Sequence, residues 1–300
     1  MCGLFGFLKY GGGRTNIQEL TEALAAESAS RGTDATGVAY NDRNKLRIAK
    51  RSVSGYRFKV KLSDQRALIG HTRHATQGTI KRNFNNHPFS GKAGKTEFAL
   101  AHNGVIINDE LLRECLNLPD TVIETDSYIA VQLIERKRKL NFKTLAYMAE
   151  SLQGSFSFSV LDTNNNVYLV KGDSPICVLH FPKKGIYIYA STESILWRAL
   201  INTDFFTDLK NHDYENIIIC GGEIVRLCAN GRIERGSFIY DDFCGYGCDW
   251  RSMGISDRQL YVDDLKAVAR EFGYEPEDID RLLNEGMTLD EIEEYFYMEV

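Results

Sequence analysis

Over its first 240 residues the chain sets short apolar runs between turn signals, and the order of those runs is what most restricts its fold. "GLFGFLKY" reads as a strand closed by the Gly11-Gly12-Gly13 turn. "TGVAYND" and "KLRIAKR" are strand-like, and "ALIGHTR" and "EFALAHNG" are strands ending in polar residues. Then come "SFSFSVLD", "NVYLVKG", "ICVLHF" and "GIYIYAS", four runs rich in β-branched and aromatic side chains, and "ENIIIC" and "EIVRLC", joined by Gly221-Gly222. Helical spacing is found in "NIQELTEALAAESAS", with Asn16 as cap and Glu19 three residues on, and in "DSYIAVQLIERKRKL" and "FKTLAYMAESL". Strand runs clustered apart from helix runs make an α+β pattern, not the regular alternation of a parallel sheet.

After Tyr240 the texture changes. Residues 241–255, beginning "DDFCGYGCDW", are glycine-rich and read as a linker or ordered loop. Residues 256–300 read as three helices: one with a Ser256 cap and Gly273 at its end, one with Pro276 near its start and Gly286 at its end, and one opened by Thr288 and Glu291. From Asp257 to Val300 the net charge is -10, so the rest of the chain carries +5. That asymmetry suggests two units with different jobs, 2–240 and 256–300. Leu260, Leu265, Ile279, Leu282, Ile292 and Phe296 belong to an apolar set large enough to need a neighbour. The tail is expected to be a folded interaction module, a solvated acidic appendage being the alternative.

The overall charge of -5 and pI near 5.8 argue against a nucleic-acid partner. No apolar run approaches the roughly 20 residues of a membrane-spanning helix, and the N-terminus lacks a secretory signal. Seven cysteines with scattered spacing read as reduced thiols, which suits the cytoplasm. Cys244 and Cys248 of "CGYGC" are a thin metal or redox signal without a second pair at matching spacing, and ordinary loop cysteines describe them better.

Cys2 stands directly behind Met1. Buried in a strand it is a small hydrophobe. With Met1 removed, it would carry a thiol and a free α-amino group on one residue, a nucleophile with its own base. Polar sequences at strand ends bear on this choice: "SRGTDATG" (Ser30 to Gly37), "GHTRHATQG" (Gly70 to Gly78), "NNHPF" (Asn85 to Phe89), "AHNGVIIN" (Ala101 to Asn108) and "ETDSY" (Glu124 to Tyr128). Together with "MCGLFG", and in this order, they resemble the glutaminase domain of the class II glutamine amidotransferases, which are N-terminal-nucleophile hydrolases. The resemblance runs over roughly residues 2 to 235.

The resemblance implies a four-layer αββα sandwich, followed here by the small helical tail. It implies that Cys2 is the nucleophile and its α-amine the base. Asn103 and Gly104 would hold the oxyanion, and Arg31 would order the nucleophile. Arg73 and Thr76 would bind the α-carboxylate of L-glutamine and Asp126 its α-ammonium, with His87 also at the substrate site. No cofactor or metal is implied. The sequence departs from the family's pattern at Thr33, His74 and Gln77, which border the loop over the substrate. Family members usually carry a synthase domain after the glutaminase, and about 60 residues follow here. The expectation is a stand-alone glutaminase or the ammonia-donating subunit of a complex with a separate acceptor protein, a homo-oligomer being open to either.

Three rivals stand beside this reading. Zinc held by Cys2, His71, His74, His87 and His102 is disfavoured, because His71 and His74 would face opposite sides of a strand. A non-catalytic module on the same fold has no need of the full residue set. An amidohydrolase for another amide is the third, and Arg73 with Asp126 favours an α-amino acid over it.

Overall fold

A computed structural model of the chain describes residues 2–43, 45–75, 78–240 and 275–284, with Val262, Lys266, Met287 and Ile292. The chain divides into two compact units, Met1–Tyr240 and Asp241–Val300.

The first unit holds two antiparallel sheets. One has the strand order β11-β9-β10-β1-β4-β2-β3 and the other β13-β12-β8-β7-β6-β5. The strands are β1 (Gly3–Lys9), β2 (Ala35–Asp42), β3 (Lys45–Arg51), β4 (Ala67–Arg73), β5 (Phe89–Ala93), β6 (Thr96–Ile106) and β7 (Gly154–Asp162). They continue with β8 (Val167–Lys171), β9 (Cys177–Phe181), β10 (Ile186–Ala190), β11 (Glu215–Asn216), β12 (Glu223–Leu227) and β13 (Ile233–Ser237). The helices are α1 (Ile17–Glu27), α2 (Asp109–Cys115), α3 (Tyr128–Lys137), α4 (Phe142–Ser151), α5 (Glu193–Leu200) and α6 (Phe206–Lys210).

Strand periodicity builds the layers. In β1, Leu4 and Leu8 point one way and Phe5 and Phe7 the other, as a pleated strand requires. Phe5, Phe7, Leu68 and Ile188 pack with Leu20 and Leu24 of α1 and Leu196 and Leu200 of α5. Leu4, Leu8, Ala67 and Ile69 pack instead against Ala99, Ala101, Leu161 and Leu169 of the second sheet. That sheet's far face, with Phe98, Leu100, Phe156 and Phe158, packs on Ile129 and Leu133 of α3 and Met148 of α4. The result is the four-layer αββα sandwich that the resemblance implied. Two buried polar contacts tie the sheets at opposite ends: His71 Nε2 lies 2.9 Å from the His102 carbonyl, and Asn41 Nδ2 donates to the Asp162 carbonyl at 2.8 Å.

Local chemistry sets the boundaries. Asn16 caps α1 by accepting the Glu19 N–H at 3.2 Å, and it donates from Nδ2 to the Glu19 carboxylate. The run "DSYIAVQLIERKRKL" stops being helical at Lys137, because Arg138 turns left-handed with φ 55°. "ENIIIC" is extended in sequence, yet only Glu215–Asn216 joins the sheet. Ile217 donates to Val178 O and the chain then leaves for β12 in the other sheet. β5, β13, α2, α5 and α6 carry no clear local signal in the sequence; β13 contains a glycine and three charged or polar residues and is extended through its pairing with β12.

In the second unit, a helix over Pro276–Asn284 buries Ile279, with Ile292 buried beside it and Leu282, Leu283 and Met287 packed against the pair. Lys266 pairs with Asp280 at 2.6 Å. Residues 241–255 with Cys244 and Cys248, Ser256, Gly273, Gly286 and the Thr288–Glu291 box lie outside the described residues, as do Met1, Thr76 and Gln77. Among the described residues no helix is long and apolar enough to cross a membrane.

Candidate active site

Side-chain parity gathers three candidates on one surface. Cys2 precedes β1 on the parity of Leu4 and Leu8, Arg73 ends β4 on the parity of Ala67 and Ile69, and Asn103 lies in β6 on the parity of Ala99 and Ala101. All three therefore face the space between the sheets. The Gly3↔Thr72 pairing sets Cys2 beside Arg73, and the His71–His102 contact draws β6 to the same end.

The five polar motifs are stitched to one another there. Arg31 Nε donates to the Cys2 carbonyl at 3.0 Å. Asp34 accepts the Ala75 N–H at 2.8 Å, and its own N–H donates to Arg73 O at 3.0 Å. Arg73 is 2% exposed, and donates from Nη1 to Asn86 Oδ1 at 2.7 Å and from Nη2 to Gly78 O at 3.0 Å. Asn85 exchanges hydrogen bonds with Glu124, accepting its N–H at 2.9 Å and donating to its carboxylate at 2.8 Å. Asp126 is buried and accepts the Ile106 N–H at 2.7 Å and the Ser127 hydroxyl at 3.1 Å. Ser127, not Asp126, stands at the N-cap of α3.

Burial and the nearby cations set the electrostatics of the site. Burial pushes the half-buried Cys2 thiol above its ordinary pKa, while the charges of Arg73 and Arg31 act the other way. The Cys2 Sγ lies 3.5 Å from the His74 carbonyl. Burial lowers the Arg73 pKa, opposed by the nearby Cys2, Asp34 and Asp126.

Asn103 is 1% exposed, and neither its Oδ1 nor its Nδ2 has a hydrogen-bond partner among the described residues. An unpaired buried amide costs free energy on the order of 1–3 kcal/mol, so its retention calls for an explanation. Gly104 follows with φ 134°, and a Cβ there would stand 2.1 Å from Ser155 O. Only glycine lets β6 approach β7 this closely in that conformation.

His87 is also buried, between the rings of His71 and Phe89 at 4.2 and 4.3 Å, with both nitrogens unpartnered among the described residues. Its surroundings make it part of a histidine cluster with His71 and His102 behind the site. His102 Nδ1 lies 2.7 Å from Ser127 Oγ and its ring stacks on Phe158. Burial holds His71 at about 3, His87 well below 6.5 and His102 below its ordinary value. Among the described residues no group of three His, Cys, Asp or Glu is arranged to hold a metal ion, and His74, unlike His71, is exposed.

The cluster has a consequence for stability. Unfolded histidines titrate near 6.5, and these folded ones titrate lower, so the unfolded chain binds more protons as pH falls through that value. Stability is thus full above about 6.5 and falls below it, each ring contributing up to about 1.4 kcal/mol per pH unit. Urea titrations from pH 7 to 5, above most carboxylate titration, are expected to show this decline. A flat profile would mean that the rings accept protons in the folded state at no cost.

Sequence reasoning missed Asn86, Asp34 and Lys50. Asn86 and Asp34 lie inside the quoted motifs but were given no role. Lys50 carries no local signal, since "KLRIAKR" reads only as strand-like. Thr76 lies outside the described residues.

Comparison with known proteins brings independent findings. Residues 71–198 match a glutamine amidotransferase domain family. Over 251 residues the chain is 32% identical to glutamine–fructose-6-phosphate aminotransferase (isomerizing) from Staphylococcus aureus, a match that takes in 80% of this chain and 39% of the relative. The Staphylococcus epidermidis protein of that name is 31% identical over 229 residues, 73% of this chain and 36% of the relative. The chain therefore spans about two-fifths of the length of these curated relatives. Among solved structures, glutamine phosphoribosylpyrophosphate amidotransferase from B. subtilis, complexed with ADP and GMP, superposes with a TM-score of 0.63. It is 20% identical, with 79% of this chain and 49% of that one covered, which shows a shared fold.

Proposed function

Because this chain carries a domain of the class II, N-terminal-nucleophile glutamine amidotransferase family, we propose that it hydrolyses the side-chain amide of L-glutamine with Cys2 as nucleophile. Met1 is removed, and the freed α-amine takes the thiol proton. The thiolate attacks the amide carbon, and the developing oxyanion is held by Asn103 Nδ2 and the Gly104 N–H. Ammonia leaves with the proton returned by the amine, a Cys2 thioester remains, and water releases glutamate. Arg31 orders the Cys2 backbone through its carbonyl. Arg73 receives the substrate α-carboxylate with its fork of donors, aided by Thr76, and Asp126 the α-ammonium. His87 forms part of the wall behind them.

The observation that carries this reading is the unpaired Asn103 amide, buried on the same inter-sheet face as Cys2 and Arg73. A buried donor with no partner among the described residues is what an oxyanion site requires. Neither zinc nor a catalytically dead module accounts for it.

Residues 2–240 form the glutaminase domain on this reading, and 256–300 an interaction module. The ammonia passes to an acceptor protein or domain beyond residues 2–240, the relatives' names coupling glutamine to fructose 6-phosphate or phosphoribosylpyrophosphate. A cytoplasmic setting suits the substrate and the reduced thiol.

The experiment is a coupled assay of glutamate and ammonia release from L-glutamine by wild type and Arg73→Lys. The variant keeps the charge and loses the fork, so KM is expected to rise about 10- to 100-fold with kcat much less affected. Release of equimolar glutamate and ammonia with an unchanged KM would remove Arg73 from substrate recognition. No release by wild type at all would remove the function.

A further inference from the structure

The polar chain that ends on Arg73 begins at a residue outside the five polar motifs. Lys50 lies on β3, the edge strand of the first sheet, opposite Gly37 of β2 in the strand register. Its Nζ donates to the carbonyls of Asn86, at 2.5 Å, and of Pro88, at 3.1 Å, the two that flank His87. The Phe89 ring centroid lies 5.1 Å from the same nitrogen. Asn86, 1% exposed, then accepts Arg73 Nη1 on its Oδ1.

Gly37 makes this approach possible. A Cβ there would stand 2.2 Å from His87 O and 2.7 Å from Lys50 Cβ, so any larger residue would push the Asn86–Pro88 segment away from the lysine. The glycine that ends "SRGTDATG" thus has a reason in packing. The amine is held at a cost: burial first, then the Arg73 charge, lower Lys50 from 10.5 to about 8. His71 and His87 also feel the Lys50 charge, and both are neutral there. A lysine kept beside an arginine in a half-dry site, bonded to two carbonyls, is not a solvated surface charge.

Resting on the reading of Arg73 as the group that receives the substrate α-carboxylate, we propose that Lys50 is a positioning residue for glutamine recognition. It fixes the Asn86–Pro88 segment, and through the Asn86 side chain it fixes the plane of the Arg73 guanidinium. It touches no substrate atom. Its loss loosens the fork, which acts on substrate binding, and leaves the Cys2 chemistry as it was.

The test uses the full chain with Lys50→Met, which keeps the length over Phe89 and removes both hydrogen bonds, and Lys50→Arg, which restores charge and donors. Three quantities are read: KM and kcat for L-glutamine, the Kd of L-glutamine for each variant in a Cys2→Ala background, and the rate of Cys2 alkylation by iodoacetamide, which has no α-carboxylate. Lys50→Met is expected to raise KM and Kd about tenfold. It leaves kcat and the alkylation rate within about twofold, and Lys50→Arg recovers most of the loss in KM. An unchanged KM in Lys50→Met, or a fall in kcat alone, overturns the proposal. Should Lys50→Met fail to fold, Lys50→Leu also removes both hydrogen bonds, and a wild-type KM in the folded Leu variant overturns it equally. Arg73→Lys run in parallel separates the two readings. If it raises KM and Lys50→Met does not, only the Lys50 role falls; if it leaves KM unchanged, both fall together.

Discussion

Replacing Cys2 with alanine is expected to lower glutamine hydrolysis by about three orders of magnitude or more, while the thermal midpoint stays close to that of wild type. The two halves of that expectation have different causes. Structurally, Cys2 precedes β1, is half-buried, and makes one weak sulfur contact with the His74 carbonyl. Removing the sulfur empties no core cluster. Chemically, burial keeps the thiol protonated near neutral pH, against the pull of Arg73 and Arg31. A base must therefore take the proton, and an α-amine with an ordinary pKa of about 7.7–8.0 is suited to do so. The rate is expected to rise with pH as that amine loses its proton. Intact-mass measurement should find Met1 absent from active protein, and Cys2→Ser should retain at most a trace of turnover. Fully active protein that still carries Met1 would rule out the amine as base.

Asn103→Ala is expected to lower kcat by about 10²–10³ with little change in KM, the pattern of a contact made only as charge develops. It is also expected to spare stability more than a buried polar deletion usually does. The Asn103 amide satisfies no other group among the described residues, so its removal orphans nothing. Asn86 offers the contrast, because its side chain bonds Arg73 and also donates to the Ile80 carbonyl at 3.2 Å. Asn86→Ala should therefore lower the midpoint where Asn103→Ala does not. A rise in KM alone for Asn103→Ala would assign that residue to substrate binding and leave the oxyanion without its side-chain donor.

The layered fold was partly legible. The apolar runs of β1 and β10 stand in the sequence because each strand is buried on both faces and takes apolar or aromatic residues at nearly every position, while β4 and β7, equally buried, carry enough of them to be read as strands. Strands lacking that double burial escaped notice. β13 exposes most of its residues, and β5 turns Ser90 and Lys92 to solvent. "ENIIIC" misled for the opposite reason: its three isoleucines satisfy the propensity for a strand, but the chain spends them crossing from one sheet to the other. Local propensity registers residue type, and cannot tell a strand from a crossover.

By itself the sequence determined the α+β class, the helix start at Asn16, and the ordered motifs that hold Cys2, Arg73, Asn103 and Asp126. These depend on spacing within a few residues, which the chain carries in its own order. Only the tertiary structure decided that Cys2, Arg73 and Asn103 share one inter-sheet face, that the Asn103 amide there has no partner among the described residues, and that Lys50 reaches Arg73 through Asn86. Each of these rests on which strands pair and in what register. Contacts of that kind join residues tens of positions apart, and they are fixed by closing the two sheets on a common core, for which no local stretch of sequence holds a signal.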